Sequence, residues 1–527
     1  MRARGATAGG RKLVGGAAIL AAGSIIAKII GAFYRVPLTN ILGAEGIGMY
    51  QLVFPVFALF TTLSTSGIPV ALSRIVAEKR AEGRETKKYL VSALISLLAV
   101  SALAGILIAS LSGVLARVQG NPTTASGYIV IAPAVFFVGV IAALRGWFQG
   151  EMYMVPTALS NVIEQLVKLG AGIGFAVAFA DRGVVAAVCG ALLGVTLSEA
   201  VAAVYLVVVY AVRSRKRPVR ECLRLSRDEA RGMFRVAFPF ALLGVIMPLG
   251  TFLDSLIIVN ALKWGGVATE AATAQYGLYS GPVASLVNAP VIAIMSLAMA
   301  VVPSVSLSRA DRDLAAIITK SRMSIKLVYL VGVPAALFFV LFGRSILSVL
   351  YPALPAASVS LAANLLSVQA FGVVLVGATQ IYISLLQGLD KTMWAVKSLF
   401  AALVVKIVLS LVLVRYTGIL GASAASIAMS TVSLILLGVS FRRLTDIHEE
   451  KSIAKVLLAG VIMALVGITV REYVPAGVAA IAAGAAVCAV AYIWLTTLFG
   501  VFSEEELRSL PFGGKLARFR RAVRFWD

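Results

Sequence analysis

Apolar residues along this chain come in runs long enough to cross a bilayer, and short polar links separate them from end to end. A helix needs about 20 predominantly apolar residues to span the hydrocarbon core. Fourteen such runs are read, at residues 13–37, 46–70, 89–116, 126–149, 154–180, 183–212, 233–262, 275–303, 323–343, 358–388, 391–414, 417–440, 453–470 and 475–500. The expected fold is an all-α polytopic membrane protein of about 14 transmembrane helices. Prolines punctuate several runs: Pro55 and Pro69 in the second, Pro239 and Pro248 in the seventh, Pro290 and Pro303 in the eighth. Each frees a backbone carbonyl, which suits helices that bend.

Few polar positions break the pattern. Lys28 and Arg35 lie in the first run, within AAGSIIAKIIGAFYRVPL. Seven steps of about 100° return a helix to within roughly 20° of its starting direction, so both fall on one stripe about 10 Å apart. A cation at mid-bilayer costs ~2.5–3.5 kcal/mol on insertion scales and normally faces a wet cavity or a partner. Two readings follow: a structural ion pair with a carboxylate on a neighbouring helix, or a cationic wall for an anionic substrate. Apart from basic residues near run ends that are counted with the cytoplasmic links, the other cations inside runs are Lys168 and Lys406, and the carboxylates are Glu164, Glu199 and Asp254. Glu164 and Lys168 stand four apart in the favourable order for a helical pair and are expected to neutralise each other. Asp254, Glu164, Lys168 and Lys406 are candidate polar-cavity or coupling residues.

The remaining basic residues orient the chain. With the N-terminus on the cytoplasmic face, 37 of the 47 Lys and Arg fall on that side, Arg145 among them. Six fall on the other: Arg117, Arg182, Lys263, Arg344, Arg415 and Arg471. Basic residues concentrate in cytoplasmic links, so both termini are expected to be cytoplasmic.

Internal repetition divides the runs. Gln149-Gly150 recurs as Gln387-Gly388, and at the same offset of 238 Ser160 falls on Ser398 and Lys168 on Lys406. Gly183 matches Gly418 and Thr196 matches Thr431 at an offset of 235, and IPVALSR ending at Arg74 resembles VPSVSLSR ending at Arg309. Spans 1–6 and 7–12 therefore read as parallel repeats, which in transporters meet around a substrate site. The expected organisation is an N-terminal lobe (1–212), a basic cytoplasmic linker (213–232), a C-terminal lobe (233–440), spans 13–14 (441–500) and a basic tail (501–527). In that tail Leu516, Phe519, Val523 and Trp526 share one face with arginines opposite, the pattern of an interfacial helix on the anionic inner leaflet.

Composition narrows the class further. Hydrophobic residues make up 60%, charged residues 13%, and mean hydropathy is +0.96, which excludes a soluble domain. The net charge of +23 resides mostly in the links, as topology demands, so no nucleic-acid partner is expected. Cys189, Cys222 and Cys488 lie far apart and His448 stands alone in a polar link. No disulfide framework, metal site or cofactor is expected from them. Outer links carry only scattered carboxylates, Glu45, Asp181, Glu270 and Glu472, which argues against a membrane glycosyltransferase and against an enzyme generally.

The stretches GIGMYQLVFPVFALFTTLSTSGIPVALSRIVAE, LRGWFQGEMYMVPTALSNVIEQLVKLG and LLQGLDKTMWAVKS resemble the polysaccharide-transporter branch of the multidrug/oligosaccharidyl-lipid/polysaccharide flippase superfamily. Within it the chain is similar to the lipid II flippases over nearly all of the first twelve spans. The resemblance implies two six-helix lobes plus two further helices. It also implies export of an undecaprenyl-diphosphate-linked saccharide from the inner to the outer leaflet of a bacterial plasma membrane. In that family the first two spans line a central cavity with essential cations, which map onto Lys28, Arg35 and Arg74. The family's eighth span often adds a basic residue; here the region reads QYGLYSGPVASLVNAP and has none. The cargo therefore stays open between lipid II and a related precursor, and the role between vegetative wall and spore. Expected partners are the lipid-linked oligosaccharide, anionic membrane lipids and cell-wall synthesis proteins. Two alternatives stand beside this reading: a cation-coupled multidrug antiporter, which needs acidic residues in a lobe, and a non-transporting scaffold for wall or spore assembly.

Overall fold

The computed structural model describes residues 2–65, 67–214, 227–445, 451–474 and 477–501. Most of the basic linker, His448 and the amphipathic tail expected after Phe502 lie outside the described residues. Among the described residues all regular structure is helical, in seventeen α-helices. They are α1 (Arg2–Thr65), α2 (Ile68–Ala81), α3 (Lys87–Ser110), α4 (Ser112–Val118), α5 (Ala125–Gly150), α6 (Val155–Ala178), α7 (Val184–Ser214), α8 (Arg227–Trp264), α9 (Thr269–Leu278), α10 (Ala284–Ala310), α11 (Leu314–Leu350), α12 (Ala356–Gln369), α13 (Phe371–Gly388), α14 (Thr392–Thr417), α15 (Ile419–Thr445), α16 (Lys451–Tyr473) and α17 (Val478–Leu498).

Thirteen stretches among the described residues are long and apolar enough to cross a membrane, one fewer than the fourteen runs. The difference lies in α1, where the first two runs share one element that leaves helical geometry at Gly43 (φ 69°, ψ −174°). That conformation is open to glycine and strained for other residues. Three other runs are interrupted. The third breaks at Leu111 between α3 and α4, and the tenth breaks at Ala370 between α12 and α13. In the eighth, a π-helical turn at Tyr279–Val283 separates α9 from α10 and contains Pro282, which lacks the amide proton a regular helix would use.

Polar side chains inside these helices satisfy themselves locally. Thr39, Thr62, Thr65, Ser321 and Ser324 donate to the carbonyl four residues back, at 2.6–2.8 Å. Large apolar residues such as Ile95, Ile106, Val204, Phe400 and Val490 stay exposed, as lipid-facing positions require.

The chain divides into two compact units, Met1–Gly281 with Ser410–Gly418, and Pro282–Leu409 with Ile419–Asp527. The first is built around Tyr34, Leu38, Val53, Tyr128, Val135 and Leu192, from α1, α5 and α7. In the second, α11 packs with α16 and α17 around Val333, Phe342, Met463 and Tyr492, with Cys488 buried among them.

Each unit carries one copy of the Gln-Gly motif, and each copy ends its helix identically. Two residues past the glycine the chain turns left-handed, at Met152 (φ 57°) and Asp390 (φ 60°). The next amide closes the turn, Tyr153 N on Phe148 O at 2.9 Å and Lys391 N on Leu386 O at 2.7 Å. The glycine itself permits a close helix contact. A Cβ at Gly150 would lie 2.5 Å from Val76 Cβ and 2.7 Å from Ser73 O, and one at Gly388 would lie 2.9 Å from Val305 Cβ. Gly183 and Gly418, matched in sequence, both take positive φ just before α7 and α15.

Candidate functional site

The first segment of α1 has three distinct faces. Gly23 lies against Ala158 of α6, Gly31 against the Gln165 side chain, and Ala27, Tyr34 and Leu38 are buried on the same side. Ile19, Ile26, Ile29 and Phe33 are exposed, on the face that suits lipid. At about 100° per residue, Ser24, Lys28 and Arg35 form a third flank, roughly 60–100° from the packed stripe and on the side away from Ile26 and Phe33. Lys28 is exposed and Arg35 half-buried. The common stripe expected from their spacing therefore exists, and it is neither the packed face nor the apolar one.

Behind the packed face of α1, α5, α6 and α7 contribute a polar cluster. Arg145 of α5 donates from Nε to Ser160 Oγ at 2.9 Å and from Nη2 to Glu164 Oε2 at 3.0 Å. Ser160 and Glu164 are four apart on α6, so one guanidinium spans both with the planar fork that lysine lacks. Gln165 donates to Glu164 Oε1 at 2.9 Å. A Cβ at Gly31 would sit 2.9 Å from Gln165 Oε1, so this side chain reaches α1 between Lys28 and Arg35. Glu199 of α7 is buried within electrostatic reach of Glu164, Arg145 and Lys168.

This geometry corrects one expectation. The carboxylate of Glu164 is held by Arg145 across two helices, not by Lys168 one turn along its own helix. The Lys168 ammonium lies instead 4.8 Å from the Phe54 ring centroid and 5.4 Å from that of Tyr34, over aromatic faces of α1. Arg145, counted with the cytoplasmic link residues, belongs to the helical interior. Its role had no periodic signal; the mark in the sequence was its place in LRGWFQG beside the glycines on which α2 packs.

The other candidates are dispersed. Arg74 is exposed on α2 and makes no ion pair among the described residues. Asp254 is buried on α8 within reach of Tyr276 of α9. Lys406 is buried on α14 in the second unit.

A second polar network, on the far side of the Gly43 break, ties α8 and α9 to the helices before them. Gln119 donates to Leu52 O at 3.0 Å and to Ser255 Oγ at 2.7 Å, and accepts from the buried Tyr128 hydroxyl. Asn121 donates to Thr273 Oγ1 at 3.0 Å, and Asn260 and Lys263 of α8 cap the carbonyls of Val118 and Gly120 at 2.7 and 2.8 Å.

Comparison with known proteins agrees with this architecture. The chain is 27% identical over 513 residues to stage V sporulation protein B of Bacillus subtilis, covering 95% of this chain and 98% of that one. It is 24% identical over 497 residues to the lipid II flippase MurJ of the same organism, covering 87% and 88%. Among solved structures, lipid II flippase MurJ in an inward closed conformation superposes with a TM-score of 0.72 at 13% identity, over 91% of this chain and 98% of that one, a likeness of fold. Residues 280–412 match the MatE family. Residues 13–309, more than half of the chain, match the family of polysaccharide biosynthesis proteins, and the chain belongs to that family.

Proposed function

We propose that this transporter moves an undecaprenyl-diphosphate-linked saccharide, lipid II or a related cell-wall precursor, from the inner to the outer leaflet. The observation that carries the reading is the separate flank of α1. Lys28 and Arg35 share a flank outside both the exposed apolar face and the packed face, and Glu164 of α6 is ion-paired with Arg145. A diphosphate entering there exchanges hydration for charge-assisted hydrogen bonds, and Arg35 supplies the bidentate geometry that suits it. Arg74, exposed on α2, adds a third cation toward the cytoplasmic mouth. The prenyl tail stays in lipid throughout, and rocking of an N-terminal lobe (1–212) against a C-terminal lobe (233–440) exposes the headgroup to each side in turn. A cation-coupled drug antiporter fits less well, because Glu164 is committed to an arginine and the cluster carries more cations than carboxylates.

Reconstitution into liposomes with fluorescent lipid II and other prenyl-diphosphate saccharides tests this directly. Lys28→Ala and Arg35→Ala should abolish leaflet transfer while leaving insertion and expression intact. Arg35→Lys should keep part of the activity if charge alone matters, and little if bidentate contact does. Transfer at the wild-type rate in Lys28→Ala, or restoration of that variant by Asp254→Asn, would overturn the proposal in favour of a structural ion pair.

A further inference from the structure

Away from the α1 flank, the first unit contains a cavity of about 500 Å³ where the end of α2, the start of α3 and the ends of α5 and α7 meet. We propose that it binds the phosphate group of an anionic membrane lipid. Arg80, Arg84, Lys87 and Arg213 line it, four cations drawn from two separate stretches of chain. Two carboxylates, Glu85 and Glu151, share the wall, so the cavity carries a net positive charge of about two.

The internal contacts show which charges are committed. Glu151 accepts from Thr86 Oγ1 at 2.7 Å and lies 3.6 Å from Arg80, whose guanidinium also donates to the Glu151 carbonyl. Glu151 therefore anchors Arg80, and Arg84 pairs with Glu82 at 3.3 Å while its side chain stays largely exposed. Arg213 lies 4.4 Å from the Tyr153 ring centroid, a cation–π contact that holds its guanidinium at the cavity. Lys87 is 7% exposed, so its ammonium is held out of bulk water at the cavity wall. Trp147, also buried, closes the floor and gives its indole N–H to Thr86 Oγ1 at 3.3 Å. One buried and three exposed cations, set on a buried frame of Thr86, Trp147 and Glu151, suit a phosphate oxygen better than scattered surface lysines would.

Size and surroundings point to a lipid. The volume exceeds that of a bare phosphate ion and falls within the ordinary range for small-molecule sites, about 300–1,000 Å³. Val212 lines the cavity, and Val204, Val208 and Val212 form an exposed apolar stripe at helical spacing along α7. An acyl chain along that stripe would place its headgroup in the cavity. The basic links assign this end of the helices to the cytoplasmic face, where anionic lipids concentrate.

The test uses the full chain, delipidated in neutral detergent, with binding followed by native mass spectrometry and by thermal unfolding. Phosphatidylglycerol should bind and raise the unfolding midpoint where phosphatidylcholine does not. Arg84→Gln/Arg213→Gln should weaken phosphatidylglycerol binding about tenfold or more, the scale of one or two lost charge-assisted hydrogen bonds. Arg84→Lys/Arg213→Lys should recover part of it, which separates lost charge from lost folding. Equal phosphatidylglycerol binding by the wild type and the glutamine variant would overturn the proposal. Glycerol 3-phosphate raising the midpoint as far as phosphatidylglycerol does would retain a phosphate pocket and overturn the lipid assignment.

Discussion

Gly150→Ala is the sharpest test of how the Gln-Gly motif acts. The added Cβ would meet Val76 Cβ at 2.5 Å and Ser73 O at 2.7 Å, against the ~3.5–4.0 Å at which carbon atoms rest. Neither neighbour can rotate away, since one is a β-carbon and the other a backbone oxygen, so α2 must shift by about 1 Å. Overpacking of this kind costs ~1–3 kcal/mol, and replacing glycine in a helix returns at most ~1 kcal/mol. The net expectation is a loss of ~1–2 kcal/mol. Gly174→Ala, in α6 with nothing within 4 Å of its Cβ, should instead gain ~0.5–1 kcal/mol. Thermal unfolding in detergent reads both. Arg74 sits between Ser73 and Val76, so the same shift should also lower leaflet transfer in Gly150→Ala and spare it in Gly174→Ala. A Gly150→Ala protein that unfolds at or above the wild-type midpoint would refute the packing argument.

Three further outcomes are expected. Glu164→Gln and Arg145→Gln should each destabilise by ~1–3 kcal/mol, because either leaves a half-buried ion uncompensated, while the double variant should lose less than the sum; a double-mutant cycle with no coupling would remove the interhelical pair from the account. Gln119→Leu deprives Leu52 O, Ser255 and the Tyr128 hydroxyl of a partner at once and should lower stability by ~2–3 kcal/mol, read as a falling unfolding midpoint; an unchanged midpoint contradicts the network. In a chain freed of native cysteines, impermeant thiol reagents should label Glu45→Cys and Glu270→Cys from outside and leave Arg217→Cys and Ser509→Cys untouched; external labelling at position 217 would invert the topology.

The helices were legible because run length is a one-dimensional property, and a stretch such as 183–212 needs no partner to be recognised as α7. The interruptions were less legible. Gly43 and Pro282 are visible as residues, but whether a glycine or proline bends, breaks or merely sits in a helix depends on what packs beside it. The seven-residue spacing of Lys28 and Arg35 gave their shared stripe. It could not say which face of α1 that stripe was, since that is fixed by Gly23 and Gly31 lying against α6. The pairing of Glu164 failed for a related reason. Position i+4 on one helix is a local candidate that sequence always offers, whereas Arg145 lies on another helix and its nearness to Glu164 is a product of packing. The Gln-Gly repeat was visible as a pair of dipeptides, but its work, a left-handed helix end and a glycine under a crossing helix, appears only in three dimensions.

The handling of charge in the first unit follows from the cost of each ion in hydrocarbon. Arg145 and Glu164 cancel as a pair, with Ser160 and Gln165 taking up further hydrogen-bonding capacity, so together they cost far less than two separate ions. Lys168 is placed over two aromatic faces, which attract its charge without neutralising it. Among the described residues, the cluster also holds the buried carboxylate of Glu199, within electrostatic reach of Glu164, Arg145 and Lys168. An arrangement serving stability alone would match each cation to a carboxylate or replace both by well-packed apolar residues, which is often neutral or stabilising. Retaining an excess of cations is favourable overall when an anion enters the site during each working cycle and contributes the missing charge. Under the proposed function, the cluster would reach its electrostatic balance with a diphosphate bound and lose it again on release.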